Sequence, residues 1–132
     1  MITALDSSVL WAIIKKEPGH AEWLEVLLKA ASEGPLIISP VAFAELAPST
    51  ADAASLSSFL EQLSISYDPI SPAAAHLAGL TFKHYRQAGG PRQHLVPDFL
   101  IAAHAETQAN RLAAIDRGYV RKWFPALRLL VP

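Results

Sequence analysis

Short apolar runs alternate along this chain with longer stretches of helical periodicity, and this alternation limits the possible folds more than any other feature. "ITALD" (2–6), "LIIS" (36–39) and "RLAAID" (111–116) are short and apolar, which predicts buried strands. Strands that are joined through helices favour a mostly parallel sheet with helices on both faces. A chain of 132 residues is long enough to bury one such core, so we predict a single α/β domain.

Proline, glycine and the spacing of apolar residues place the remaining elements. Ser7 or Ser8 is expected to cap the first helix, because serine is favoured at helix starts. We predict helices over 7–14, 20–32, 40–47, 51–63, 72–88 and 98–110, further strands over 64–70 and 127–132, and a loop over 91–97.

The amino-acid composition limits the cellular compartment and the binding partners that we expect for this chain. The chain has no cysteine, which excludes disulfides and thiolate metal sites and predicts a cytoplasmic protein. No apolar run approaches the roughly 18–20 residues that a membrane span needs. Residues 1–80 hold three Lys or Arg and nine Asp or Glu, whereas residues 81–132 hold eight and three. The basic half indicates either binding to a polyanion or an ordinary solvated surface.

Four acidic residues lie where an α/β sheet binds its ligands, beyond the carboxyl ends of its strands. Asp6 and Asp116 end predicted strands, and Glu45 lies on the apolar face of a short helix. Asp98 is predicted to open a very apolar helix, either as a helix cap or as a functional group. The other eight are interpreted as solvated: Glu17, Glu22, Glu25, Glu33, Asp52, Glu61, Asp68 and Glu106.

Carboxylates that meet in one cleft repel each other, by roughly 4 kcal/mol for two charges about 4 Å apart at an effective dielectric of 20. A divalent cation relieves this repulsion. Mg²⁺ and Mn²⁺ prefer carboxylate and water oxygens and combine them with phosphate. The pattern therefore predicts a metal site that is suited to hydrolysing phosphodiesters, with no need for a catalytic histidine.

The set "LDSSVLWAI", "SPVAFAELA", "VPDFLIAAHAE" and "LAAIDRGYVRKWFPALRLLVP" resembles the PIN-domain ribonucleases, and most closely the VapC toxins of toxin–antitoxin pairs. The resemblance implies one PIN domain over residues 1–132, with a three-layer fold and a mostly parallel sheet of four to five strands. It implies a Mg²⁺- or Mn²⁺-dependent endoribonuclease that cuts a structured RNA such as tRNA or rRNA, leaving a 5′-phosphate and a 3′-hydroxyl. It also implies a homodimer and a VapB-type antitoxin.

By position, Asp6, Glu45, Asp98 and Asp116 match the catalytic and metal-binding acids of this family, and Ser7 matches a supporting hydroxyl residue. Two positions depart from the pattern. Ser8 stands where many members carry Asn, and Ala114 stands where many carry Thr or Ser. Without that hydroxyl, Asp116 is expected to assist the other three acids.

Basic and aromatic residues surround these acids in sequence. We expect Arg92, Arg117, Arg121 and Lys122 to hold RNA phosphates. Tyr119, Trp123 and Phe124 would either stack on bases or pack in the core or a dimer, and packing is favoured. The wide apolar faces of helices 20–32 and 51–63 indicate a partner surface.

Two other functions compete with the nuclease. A phosphoacceptor domain that uses Asp6 would need a second acid soon after it, and "DSSV" has none. A non-catalytic PIN-like RNA-binding or scaffold domain is favoured by Ala114 and opposed by the presence of all four acids.

Overall fold

The structure is a computed structural model that describes residues 1–90, 95–116 and 118–132. Its strands are β1 (Thr3–Leu5), β2 (Leu36–Ile38), β3 (Ile65–Tyr67), β4 (Arg111–Ala113) and β5 (Leu129–Leu130). Its helices are α1 (Ser7–Ile14), α2 (His20–Glu33), α3 (Pro40–Leu46), α4 (Ala53–Gln62), α5 (Pro72–Gln87), α6 (Leu95–Gln108) and α7 (Tyr119–Trp123), with a 3₁₀ turn over Ala47–Ser49.

The five strands form one parallel sheet in the order β3-β2-β1-β4-β5. The chain builds outward from β1 to β3 and then crosses to the other side of β1 for β4 and β5. With right-handed crossovers, this reversal puts the helices before and after it on opposite faces of the sheet. The prediction of a three-layer α/β fold with four to five mostly parallel strands is therefore confirmed.

The core lies between the sheet and its helices. Every residue of β1, β2 and β4 is buried, as expected for strands that are covered on both faces. Trp23 and Leu27 of α2 and Leu56 and Leu60 of α4 complete this core with buried side chains. Within the described ranges, no helix has both the length and the apolarity that a bilayer crossing requires.

An aromatic cluster, consisting of Phe82, Tyr85, Phe99, Trp123 and Phe124, joins α5, α6 and α7. Phe99 is its centre, with ring centroids 5.5 Å from Tyr85 and 5.6 Å from Phe124. Trp123 and Phe124 thus pack against other rings, as the sequence favoured. Helix α7 itself was not predicted, because five residues are too few to show a period.

The start of α6 differs from the prediction. The helix begins at Leu95, so the predicted loop over 91–97 is wrong for residues 95–97, while 91–94 lie outside the described residues. Pro97 falls in the first turn, where a missing N–H breaks no helical hydrogen bond. Asp98 therefore lies inside the first turn of α6 and does not open it.

Two acids that were interpreted as solvated have long-range partners. Asp68, just after β3, accepts hydrogen bonds from Gln108 Nε2 at 2.9 Å and pairs at 2.8 Å with Nε2 of His104, which is buried. Glu33 pairs with the buried Arg111 at 3.1 Å. Local sequence patterns miss these contacts because the partners are 36 to 78 residues apart.

Candidate active site

The candidate site forms at the carboxyl ends of β1 and β4, the neighbouring strands between which the sheet order reverses. Asp6 follows β1 directly, and its N–H donates to Ala113 O at the end of β4, at 2.9 Å. Ligands of doubly wound sheets bind at this kind of point. The strand pairing thus places Asp6 beside the segment that carries Asp116.

Ser8 links the two strand ends through its side chain. Its hydroxyl donates to Asp6 Oδ2 and accepts a hydrogen bond from the Ile115 N–H at 3.1 Å. From the sequence, Ser8 was a candidate helix cap and a departure from the Asn of many family members, but it was not predicted to be a site residue. The available signal was a pair of serines directly after a strand-ending aspartate.

Ser7 holds Glu45 on the other side of Asp6. The buried Ser7 donates from Oγ to Glu45 Oε1 at 2.9 Å, and Trp11 Nε1 donates to the Glu45 carbonyl at 3.3 Å. Helix α3, which carries Glu45, is capped by Ser39, whose hydroxyl accepts from the Ala42 N–H. Neither Ser7 nor Ser8 caps α1, so that prediction is wrong: both hydroxyls serve carboxylates instead.

Burial and neighbouring charges raise the pKa values of two of these acids. Burial raises the pKa of Asp6 above its ordinary value, hydrogen bonds from Ser8 and the backbone oppose the rise, and the Asp116 charge adds to it. Desolvation also raises the pKa of Glu45, against the Ser7 hydrogen bond and with a further rise from Asp6. The Asp116 charge therefore disfavours the charged form of Asp6, and the Asp6 charge disfavours that of Glu45.

The Asp116 carboxylate accepts hydrogen bonds from backbone N–H groups at the start of α7. Its Oδ1 accepts from the N–H groups of Gly118 at 3.0 Å and Val120 at 3.1 Å, and its Oδ2 accepts from that of Arg121 at 3.4 Å. The side chain is only 5% exposed, and Arg121 Nε lies 3.8 Å from Oδ2. These donors take the place of the hydroxyl that Ala114 lacks.

Asp98 lies half-buried in the first turn of α6. Helix α6 packs against α3, β1 and β4, the elements that lead to Glu45, Asp6 and Asp116. Because α6 runs back before β4, its first turn lies at the carboxyl edge of the sheet. Of the basic residues predicted to bind RNA, Arg121 and Lys122 are exposed on α7, whereas Arg92 and Arg117 lie outside the described residues.

The chemistry of these donors fits a hard divalent cation, because a positive charge beside Asp6 and Glu45 offsets the desolvation and the repulsion that raise the pKa of both carboxyls. In the part of the chain that the structure describes, no three His, Cys, Asp or Glu side chains are arranged as a group that could hold a metal ion. Asp6, Glu45 and Asp116 each have their own hydrogen-bond donors here.

Comparisons with known proteins agree with this geometry. The family model described as "PIN domain" matches residues 3–122. No curated protein matches the chain. Among solved structures, VapBC2 from Rickettsia felis bound to a promoter DNA fragment is similar, with 24% identity, 98% of each chain covered and a TM-score of 0.68.

Two further structures share the fold. VapBC-1 from nontypeable Haemophilus influenzae has 18% identity, covers 98% of this chain and 97% of its own, and has a TM-score of 0.71. Mycobacterium tuberculosis VapC20, described as a Sarcin-Ricin loop cleaving toxin, has 15% identity, 94% coverage of both chains and a TM-score of 0.60.

Proposed function

The chain belongs to the PIN domain family, and on that premise we propose that it is a metal-dependent endoribonuclease, the toxin of a type II toxin–antitoxin pair. One observation carries the proposal. At the edge of the sheet where ligands bind, desolvation raises the pKa of Asp6 and of Glu45, and the charges of Asp116 and Asp6 add to the rise at Asp6 and at Glu45, respectively. Such a site favours a divalent cation, and the bound cation would in turn bind a phosphate of the RNA.

Asp6, Glu45 and Asp98 would hold Mg²⁺ or Mn²⁺, with Asp116 assisting. Such an ion supplies positive charge that offsets the charge developing on a phosphodiester during in-line attack by water, which leaves a 5′-phosphate and a 3′-hydroxyl. Ser7 orients the Glu45 carboxylate, and Ser8 orients that of Asp6. The two hydroxyls keep the carboxylates apart and aligned before substrate binds.

The substrate we propose is a structured RNA such as tRNA or rRNA. Support comes from the exposed cations Arg121 and Lys122 on the helix that follows Asp116. Arg92 and Arg117 would add phosphate contacts by their sequence positions. VapC20, which shares the fold, is described as cutting the sarcin–ricin loop.

The test is cleavage of total cellular RNA by the wild type and by Asp98→Asn, with Mg²⁺, Mn²⁺ or EDTA. Asp52→Asn is the matched control, because Asp52 is also an aspartate at a helix start, where it accepts from the Ser55 N–H. We expect discrete, metal-dependent cuts that Asp98→Asn abolishes and Asp52→Asn retains. Circular dichroism must show that Asp98→Asn is folded; if it is unfolded, Asp98 has a structural role.

A non-catalytic RNA-binding or scaffold domain is the second candidate. It is favoured by the absence of a three-residue metal group among the described residues and by the full use of Asp116 by backbone donors. RNA binding without cleavage of any RNA, and without growth arrest on expression, would select this function over the nuclease.

We also propose a VapB-type antitoxin as a partner, and a homodimer. A cavity of about 350 Å³ is lined by Ile13, Ile14, Ser49, Thr50 and Phe59, and it is apolar enough to take side chains of an antitoxin segment. The similar VapBC structures support this choice of occupant. Co-expression with the product of an adjacent short reading frame should give a stable complex that Phe59→Glu disrupts and Glu61→Gln does not.

A further inference from the structure

Helix α7 depends on Asp116 for its start. Gly118 has a φ of +99° just before the helix, a conformation that other residues adopt only with strain. The same oxygen of Asp116, Oδ1, receives the N–H groups of Gly118 and Val120. A carboxylate so placed satisfies donors that a helix start otherwise leaves unpaired.

The far end of α7 is held by aromatic packing. The ring centroids of Trp123 and Tyr85 are 5.4 Å apart, and Phe124 is buried against Phe99. Arg121 lies between these two anchors with 71% of its side chain exposed, and its Nε is 3.8 Å from Asp116. The helix thus presents the Arg121 cation to solvent beside Asp116.

The Ser8 hydroxyl ties this arrangement to the first acid of the candidate site. It bonds Asp6 on one side and the Ile115 N–H on the other, one residue before Asp116. A displacement of the Ile115 N–H would therefore also disturb the hydrogen bond that supports Asp6. One hydroxyl thus connects Asp6 to the segment that leads into α7.

We infer that Asp116 is a positioning residue and not a cation ligand: it fixes α7 so that Arg121 stands beside the acidic site to bind a phosphate of the RNA. This inference rests on the proposed function, because it names how one residue of that site acts. It also separates Asp116 from Asp6, Glu45 and Asp98, whose carboxylates would bind the ion.

Four variants test the inference on a short RNA with a mapped cut. Asp116→Asn keeps Oδ1, which accepts the N–H groups of Gly118 and Val120, so it should lose far less of kcat than Asp98→Asn does. Asp116→Ala, Gly118→Ala and Arg121→Gln should each raise KM about tenfold while largely retaining kcat, as expected for loss of a phosphate contact. Gly118→Ala leaves all four acids in place.

Two measurements are independent of activity. Mn²⁺ titration calorimetry should give the wild-type affinity for Asp116→Asn and a large loss for Asp98→Asn. Amide hydrogen exchange over residues 119–123 should accelerate at least tenfold in Asp116→Ala and Gly118→Ala, and stay slow in Asp116→Asn.

The inference is overturned if Asp116→Asn loses kcat or Mn²⁺ affinity as strongly as Asp98→Asn, or if exchange in α7 is the same in Asp116→Ala and the wild type. It is also overturned if Arg121→Gln has the wild-type KM. A wild type that cleaves no RNA contradicts the proposed function instead. Exchange and Mn²⁺ affinity then still decide whether Asp116 holds α7 or a cation.

Discussion

At the scale of single residues, two adjacent serines decide how the first two acids are held. Ser7 and Ser8 follow Asp6 directly, and their hydroxyls reach different carboxylates, Glu45 and Asp6. Because α1 turns between consecutive positions, neighbouring side chains point in different directions. One dipeptide therefore orients groups on two separate elements.

Ser7→Ala should lower kcat about tenfold while the free energy of unfolding falls by only about 1 kcal/mol, the typical net value of one hydrogen bond. Glu45 would keep its place on α3 and lose only its orientation. Steady-state cleavage and urea denaturation measure the two effects. Ser58→Ala, on an exposed face of α4, is the control and should change neither; an unchanged kcat in Ser7→Ala would contradict this role.

Asp116 was predicted to end a strand, but β4 ends at Ala113, so Asp116 lies beyond the strand. The position of Asp6 directly after β1 was predictable, because the run of apolar residues shows where that strand ends. The use of the Ser8 hydroxyl was not, since its partner Ile115 is 107 residues away and donates through its backbone. The same holds for Asp68 and His104, whose pairing depends on how α6 packs behind β3. Sequence reasoning finds residue types at element ends and misses side-chain contacts made across the sheet.

At the scale of elements, the aromatic cluster links the helices that carry Asp98 and Arg121. Phe99 is 1% exposed and directly follows Asp98. Phe99→Ala should therefore reduce the free energy of unfolding by about 3–5 kcal/mol, as for other large-to-small changes in a core. It should also speed exchange at the start of α6.

Phe43→Ala serves as the comparison for this change. Phe43 is half-buried and contacts the exposed Tyr67 edge-on, with centroids 5.3 Å apart. Phe43→Ala should lower the free energy of unfolding by about 1–2 kcal/mol, because the half-buried Phe43 removes less apolar area from water than Phe99 does. Equal losses in urea denaturation of the two variants would show that Phe99 is not central to the core.

Elements with a clear period were predictable, and those set by tertiary packing were not. Helices α1 and α2 lie within a residue of their predicted ranges because their apolar spacing is regular and their ends carry Pro or Gly. The extra turn of α6 before Asp98 and the five-residue α7 are stabilised by Phe99 and by Asp116, which no local pattern reveals.

At the scale of the whole molecule, the raised pKa values of Asp6 and Glu45 link stability to pH. Their ordinary values are 3.8 and 4.5, and both are higher in the folded chain. At pH values between the pKa of each group in the unfolded chain and its higher pKa in the folded chain, the folded state binds more protons. These two groups therefore make the free energy of unfolding fall as the pH rises through that range. Below the ordinary values they impose no penalty.

Asp6→Asn removes one of these charges and should raise the melting temperature by a few degrees at pH 7 in EDTA. The difference from the wild type should shrink as the pH falls below 3.8, the ordinary pKa of Asp6, because the carboxyl then becomes protonated in the folded and in the unfolded chain. Asp52→Asn should act in the opposite direction, because the Ser55 N–H lowers the pKa of Asp52 and favours its charged form. Thermal unfolding of the three proteins across this pH range measures the effect, and a less stable Asp6→Asn at pH 7 would contradict it.

A divalent cation should reverse the same penalty. If Asp6, Glu45 and Asp98 bind Mn²⁺, the folded state gains about 2.7 kcal/mol at a metal concentration one hundred times Kd. The wild type should therefore melt several degrees higher in Mn²⁺ than in EDTA at pH 7, and show less change near pH 3.5, where the raised pKa of Asp6 and of Glu45 keeps both carboxyls mostly protonated. Asp6→Asn should respond weakly at both pH values. An equal rise in the melting temperature of Asp6→Asn at pH 7 would mean that Mn²⁺ binds elsewhere on the acidic half of the chain. In that case, protons alone would relieve the repulsion around Asp6.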